Sequence, residues 1–302
     1  MTFSTQFYTW HNYRCAYEFH HPINSESTTV PLVLIHPIGV GLSRLFWQRF
    51  CREWYQQGNS NPIYNPDLLG CGQSDKPRIA YTPNDWAQQL LQLLQVVVQK
   101  PVIIVVQGAL FTVAIELVKA EPSLIAGLVL ATPPAWSLLK KETPKWQKKV
   151  IWNLLDSPLG NVFYRYARTR KFLRDFSTKQ LFDSVNQVDC EWLNTLRAGA
   201  EDMASRYAVF SFLAGFWLKD YSNAIVSIYQ PTLVVIGENI SSIAREGKKL
   251  TTDEWLAEYL TALPQARGEK IPGRNVLPYE STAEFVSAIS PFIKEISSNK
   301  FS

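Results

Sequence analysis

The 302-residue chain has four histidines, and all of them, His11, His20, His21 and His36, stand in its first 36 residues. Chemistry that needs an imidazole from any later position is excluded on that count alone. The four cysteines, Cys15, Cys51, Cys71 and Cys190, are scattered, with no C-x-x-C pair and no histidine at zinc-site spacing, so reduced thiols are the default. No metal and no cofactor is expected. No apolar run reaches the roughly 18 residues of a membrane span. The opening MTFSTQFYTWHNYR lacks the basic-then-apolar pattern of a leader, so a cytoplasmic protein is expected. A net charge of +4 is too small to argue for nucleic acid.

What remains is the composition of a folded globular chain, 46% apolar and 19% charged. Residues 7–20 alternate aromatic and polar side chains around His11-Asn12, which predicts a β-hairpin. Five apolar runs follow: PLVLIH (31–36), IYNPDL (63–68), PVIIVV (101–106), AGLVLA (126–131) and PTLVVI (231–236). Strands apolar on both faces belong to a parallel sheet covered on both sides by helices. Helical patterns fall at 83–99, 109–120, 252–263 and 282–297, so the predicted class is layered α/β. From Pro133 to about Tyr229 the pattern is helical and aromatic without a strand signal, which predicts a helical cap over the carboxyl edge of the sheet. The domains are then a core of 1–132 and 230–302 and a cap of 133–229.

The ordered segments LVLIHPIGVG (32–41), YNPDLLGCGQSDKP (64–77), YTPNDWAQQL (81–90), PTLVVIGEN (231–239) and IPGRNVLPYESTAEFVSAISPFI (271–293) resemble the α/β-hydrolase superfamily over nearly the whole chain. The resemblance implies the α/β-hydrolase fold, a mostly parallel sheet covered by helices. It also implies a serine on a strand-to-helix turn, a histidine that activates it and an acid that orients the histidine. Laid over VVQGALFTVAIEL, the pattern puts the nucleophile at Gly108, with Val106 and Leu110 at the flanking glycines. The acid position falls on Ile240, or on Ser241 with a one-residue shift, and the base position on Val276 beside Asn275. All three triad positions are thus degenerate, and the histidine count agrees. Family variants with an aspartate nucleophile also need the late histidine. Thr112 and Cys71 are the nearest substitute nucleophiles, and neither has an evident base. Glycine at 108 is expected to let the strained turn relax.

The expected function is therefore a pseudohydrolase that binds rather than cleaves, the alternative being an esterase- or lipase-type enzyme with a non-standard site. Ligand-binding candidates are His36, Ile38, Gln107, Ala109, Asn239, Asn275 and Tyr279. His36 is expected to serve neighbouring backbone, with ligand contact as the other possibility. Gln107, Asn239, Asn275 and Tyr279 read equally as anchors of an uncharged pocket and as turn residues satisfying their own backbone. Between 137 and 180 the chain carries eleven Lys or Arg and three acids, a net +8 that leaves the rest at −4. Interleaved with Trp136, Trp146, Trp152, Phe163, Tyr164, Tyr166 and Phe172, this stretch reads either as a solvated face over an aromatic core or as a peripheral anionic-membrane contact. The expected partners are a small apolar molecule or a protein, or that membrane surface, and not nucleic acid.

Overall fold

The computed structural model describes residues 4–21, 29–243 and 250–299. Its centre is one eight-stranded sheet in the order β1-β2-β4-β3-β5-β6-β7-β8. The hairpin β1 (Thr5–Trp10) and β2 (Tyr13–His20) turns at His11 and Asn12, whose φ values of 47° and 67° are those of a two-residue turn that follows the strand twist. β2 runs antiparallel to β4 (Ile63–Pro66), and β3 (Leu32–Ile35) lies parallel between β4 and β5 (Val102–Gln107). β6 (Ile125–Ala131), β7 (Thr232–Gly237) and β8 (Ala266–Ile271) continue the parallel array.

The apolar runs are continuous because both faces are covered. Ile35, Ile104, Val106, Leu130 and Ile236 enter the core shared with α2 (Pro83–Leu93), α3 (Phe111–Ala120) and α11 (Thr252–Ala262). Their neighbours Leu34, Ile103, Val105, Val129 and Val235 enter the opposite core, with α1 (Gln48–Gln56) and α13 (Thr282–Asn299). Helix starts are written locally: Thr82 and Thr251 each form a capping box with the acid three residues on, Asp85 and Glu254. The helix predicted over 83–99 ends its α-helical part at Leu93. Leu94–Val98 widen into a π turn that closes on Gln99 at φ 55°, ahead of Pro101, which the helix cannot pass.

Ten short helices and turns fill the β6–β7 segment. The longer ones are α5 (Lys145–Leu155), α6 (Pro158–Ala167), α7 (Arg170–Phe176), α8 (Cys190–Gly199) and α9 (Arg206–Leu213), with the short α4 (Trp136–Leu139) and α10 (Ser222–Ile225) at its two ends. No strand interrupts the segment. Its start is held by α11, where Tyr259 Oη and Trp255 Nε1 donate to the carbonyls of Pro134 and Pro133. Leu173, Phe182, Trp192 and Leu196 of this segment belong to the same buried cluster as the sheet residues Leu34 and Val105. Among the described residues no helix is long and apolar enough to cross a membrane.

Candidate functional site

At the carboxyl edge of the sheet, β5 ends in Gln107 and the chain turns sharply through Gly108 into a 3-10 turn and α3. Gly108 keeps a φ of +65°, so the left-handed strand-to-helix turn persists, contrary to the relaxation expected from its sequence. The reason lies in the flanks: Val106 and Leu110 are both fully buried and pin the chain on either side. No atom beyond the chain neighbours lies within 4 Å of where a Cβ would stand at Gly108. The turn thus presents space where a side chain would project.

The loops after β7 and β8 close around Asn275. Its Nδ2 donates to the carbonyls of Gln180 (2.7 Å) and Ser241 (2.9 Å), while its Oδ1 accepts the Ser241 N–H at 3.3 Å. Two carbonyls and one N–H around the amide leave it a single orientation. Its backbone carbonyl accepts Gln107 Nε2 at 2.8 Å, so the ends of β5, β7 and β8 are joined by neutral hydrogen bonds. Arg274 adds to the knot, with Nε on Ser241 Oγ (2.8 Å) and a guanidinium N–H on the Lys179 carbonyl (2.9 Å). Val276 is buried in the apolar cluster with Phe285 and Ile289, and Ile240 packs partly buried against the opposite core. Ile38 and Ala109 likewise pack partly buried on that core.

Asn239 and Tyr279 are drawn away from this knot to the β6–β7 segment. Asn239 donates to Asp183, and Tyr279 donates to Asp189 at 3.2 Å while its ring contacts Trp192 and lies under the Arg49 guanidinium. Two buried polar atoms at this edge have no partner, Gln107 Oε1 and Thr132 Oγ1, the latter on a residue held at φ 46° just past β6. Thr132 was not singled out by its sequence, and a threonine before two prolines carries no signal of a left-handed backbone.

His36 is fully buried, its Nδ1 donating to the Pro37 carbonyl (2.8 Å) and its Nε2 accepting the Leu68 N–H (3.1 Å). That pattern requires the neutral ring protonated on Nδ1. Burial lowers its pKa, against the opposing pull of Asp67. Asp67 itself receives the Arg44 and Gln73 backbone N–H groups, each at 2.8 Å, and the Arg44 guanidinium, whose Nε also reaches Glu18 at 3.0 Å. A Cβ at Gly72 would fall 2.2 Å from the Asp67 carboxylate, which explains the glycine at this place in DLLGCGQS (67–74). Cys71 is buried, and burial together with Asp67 pushes its thiol up, away from the nucleophilic thiolate. Thr112 spends its hydroxyl on the Ala109 carbonyl at 3.0 Å.

The β6–β7 segment sits directly on the loop that follows β3. A Cβ at Gly41 would lie 1.7 Å from the Leu196 carbonyl oxygen, and one at Gly199 would lie 2.1 Å from the Gly41 carbonyl oxygen, so α8 and this loop meet backbone to backbone. Two open depressions occur elsewhere. One of about 500 Å³ lies at the amino edge of β6–β8, between Ala126, Pro231, Arg267 and Glu295; one of about 310 Å³ lies between Trp10, His11 and Gln92. No candidate residue lines either. Among the described residues no group of three or more His, Cys, Asp or Glu is arranged to hold a metal ion.

A family model described as the alpha/beta hydrolase family matches residues 32–289. An uncharacterised protein of Mycobacterium bovis is 32% identical over 156 residues, which is 52% of this chain and 40% of that protein. The chain thus matches less than half the length of that relative. Among solved structures, a serine hydrolase involved in carbazole degradation superposes with a TM-score of 0.73 at 18% identity, covering 97% of this chain and 99% of that one. A thermophilic esterase from Thermogutta terrifontis gives a TM-score of 0.72 at 16% identity, covering 98% and 100%. At these identities the two structures speak for the fold alone.

Proposed function

Because the chain belongs to the alpha/beta hydrolase family, we propose that it is a member without the catalytic triad, one that acts by binding rather than by hydrolysis. The observation that carries this reading is Gly108: the turn holds its left-handed geometry and offers no nucleophilic atom. The remaining positions support it. Ile240 or Ser241 stands where an acid would, Val276 or Asn275 where a base would, and no histidine follows His36. The neutral side-chain amides of Gln107 and Asn275 tie the three loop ends together, where a triad would carry a charge.

An esterase-type enzyme with a non-standard site would need a nucleophile and a base from the groups present. Cys71 is buried with a raised pKa, Thr112 is engaged with backbone, and both ring nitrogens of His36 are occupied. None of them has the pairing of base to nucleophile that activation requires. The decisive assay is hydrolysis of generic aryl esters. Release at the buffer rate is expected for the native protein and for Gly108→Ser, since a serine without a base stays protonated. Turnover well above buffer that survives Cys71→Ala and His36→Ala would overturn the proposal.

A second reading, a small neutral ligand held at the carboxyl edge between the sheet and a helical cap formed by the β6–β7 segment, is favoured by one specific observation. Gln107 Oε1, on the residue before the open turn at Gly108, and Thr132 Oγ1, on the residue after the Ala131 that pairs with Gln107, are buried without partners, and a hydrogen-bond donor on a ligand would satisfy them. Native mass spectrometry of protein purified from its source tests it through a retained small-molecule mass.

A further inference from the structure

The outer surface of the β6–β7 segment carries apolar side chains that the fold does not use. Trp146, Val150 and Leu154 on α5 and Leu159, Val162 and Tyr166 on α6 are each between 57% and 70% exposed. Their spacings, i, i+4, i+8 on the first helix and i, i+3, i+7 on the second, make one stripe on each. The two helices are joined by Asp156 and Ser157 alone, with Leu154 and Leu159 on either side of the turn. Each helix packs inward through other residues. Trp152 meets Tyr207 and Phe216, and Tyr164 and Ala167 are fully buried. At Gly160 a Cβ would stand 1.6 Å from the Leu155 carbonyl, so the turn is closed tightly. The outward stripes are therefore a surplus over what packing requires.

The stretch 145–176, which runs from α5 through α7, holds eight Lys or Arg and two acids. One of those acids, Asp156, is engaged by Arg78 at 3.0 Å. Lys145, Lys149, Arg165, Lys171 and Arg174 enter no ion pair among the described residues. Exposed apolar stripes with uncompensated basic residues, Trp and Tyr among them, match the chemistry of an interface between anionic headgroups and acyl chains. Helices of 11 and 10 residues are too short to span a bilayer and of a length to lie along its surface. A second copy of this face would bring like charges together, which disfavours self-association through it.

We propose that the α5–α6 surface docks on the anionic face of a lipid bilayer, with the apolar stripes entering the headgroup boundary and the basic residues meeting lipid phosphates. The assignment holds whether or not the protein hydrolyses esters, so a failure here and a failure of the binding-protein reading are told apart by running the vesicle and ester assays on one preparation.

The test is flotation of the whole chain with phosphatidylcholine vesicles, with and without phosphatidylglycerol. Binding is expected with the anionic vesicles and not with the neutral ones, and to weaken as salt approaches about 1 M, where the Debye length falls to about 3 Å. Leu159→Ser with Val162→Ser is expected to weaken binding about tenfold or more. Each of Arg165→Gln, Lys171→Gln and Arg174→Gln is expected to weaken it about fivefold and to flatten the salt dependence. All five side chains are exposed or at the surface of their helices, so circular dichroism should show the native fold in each variant. No flotation at low salt, or flotation unchanged by the Leu159 and Val162 pair, overturns the proposal. So does a dimer that those two changes dissolve without affecting vesicles, which would give the face to a second copy, or salt-sensitive capture by an acidic protein in the absence of lipid binding.

Discussion

At the scale of single residues, Asn275 makes the sharpest claim. It satisfies two carbonyls and one N–H on two separate segments, so removing its amide leaves part-buried backbone groups without these partners. Asn275→Ala is expected to cost about 2–4 kcal/mol in urea unfolding. Asn275→Asp separates hydrogen bonding from volume: a carboxylate cannot donate to the Gln180 and Ser241 carbonyls, but a protonated acid can donate to one of them. The introduced carboxyl should have a raised pKa in the folded state. A group raised on folding stabilises below its unfolded pKa and loses that contribution as pH rises through the folded value. The variant should therefore recover part of the lost stability on acidification, which unfolding curves across the acidic range would show. Of this site the sequence made legible which side chains stand at 108, 240 and 276, because residue identity alone decides that. It did not make legible that Gln107 and Asn275 would find each other over 168 residues of separation, since neither has a local signature beyond turn chemistry.

At the scale of elements, the contact of α8 with the loop after β3 depends on glycine at two places. Gly41 has a φ of +78° and no room for a Cβ, whereas Gly58, at φ +77°, has nothing within 4 Å. The pair makes a controlled comparison. Gly58→Ala should cost only the left-handed strain, about 1 kcal/mol, while Gly41→Ala must also move the α8 backbone and should cost about 3 kcal/mol or more. Thermal unfolding of both variants checks this, and equal losses would show that α8 yields without penalty. Which elements could be read in advance follows the same physical line. The five central strands announce themselves because burial on both faces demands apolar runs. β8, ARGEKI, sits at the sheet edge with most of its residues exposed or half-buried, so it keeps charges and lacks any apolar run. Likewise the helical character of the β6–β7 segment is plain in its sequence, but its seat on Gly41 is not, because backbone-to-backbone packing leaves only a glycine as its trace.

At the scale of the whole molecule, sheet and β6–β7 segment share one buried cluster, so the two are expected to unfold together and pH acts on a single transition. His36 and Glu18 both bear on its acid limb. His36 is buried neutral with a lowered pKa, against an ordinary value of 6.5. As pH falls through 6.5 the unfolded chain takes up a proton that the folded chain refuses, so stability drops by up to about 1.4 kcal/mol per pH unit until the folded value is reached. Glu18 acts at lower pH. Burial pushes its carboxyl up, but the hydrogen bond from His20 and the charge of Arg44 outweigh burial and hold it below its ordinary 4.5. Its contribution is present above the unfolded value and is lost as pH falls through the folded one. Unfolding free energy measured from pH 8 downwards should therefore decline in two stages, the first beginning near 6.5. His36→Asn should lower stability at neutral pH, because one of two backbone partners is lost, and should also remove the first stage. If that first stage persists in the variant, the buried neutral role of His36 is wrong.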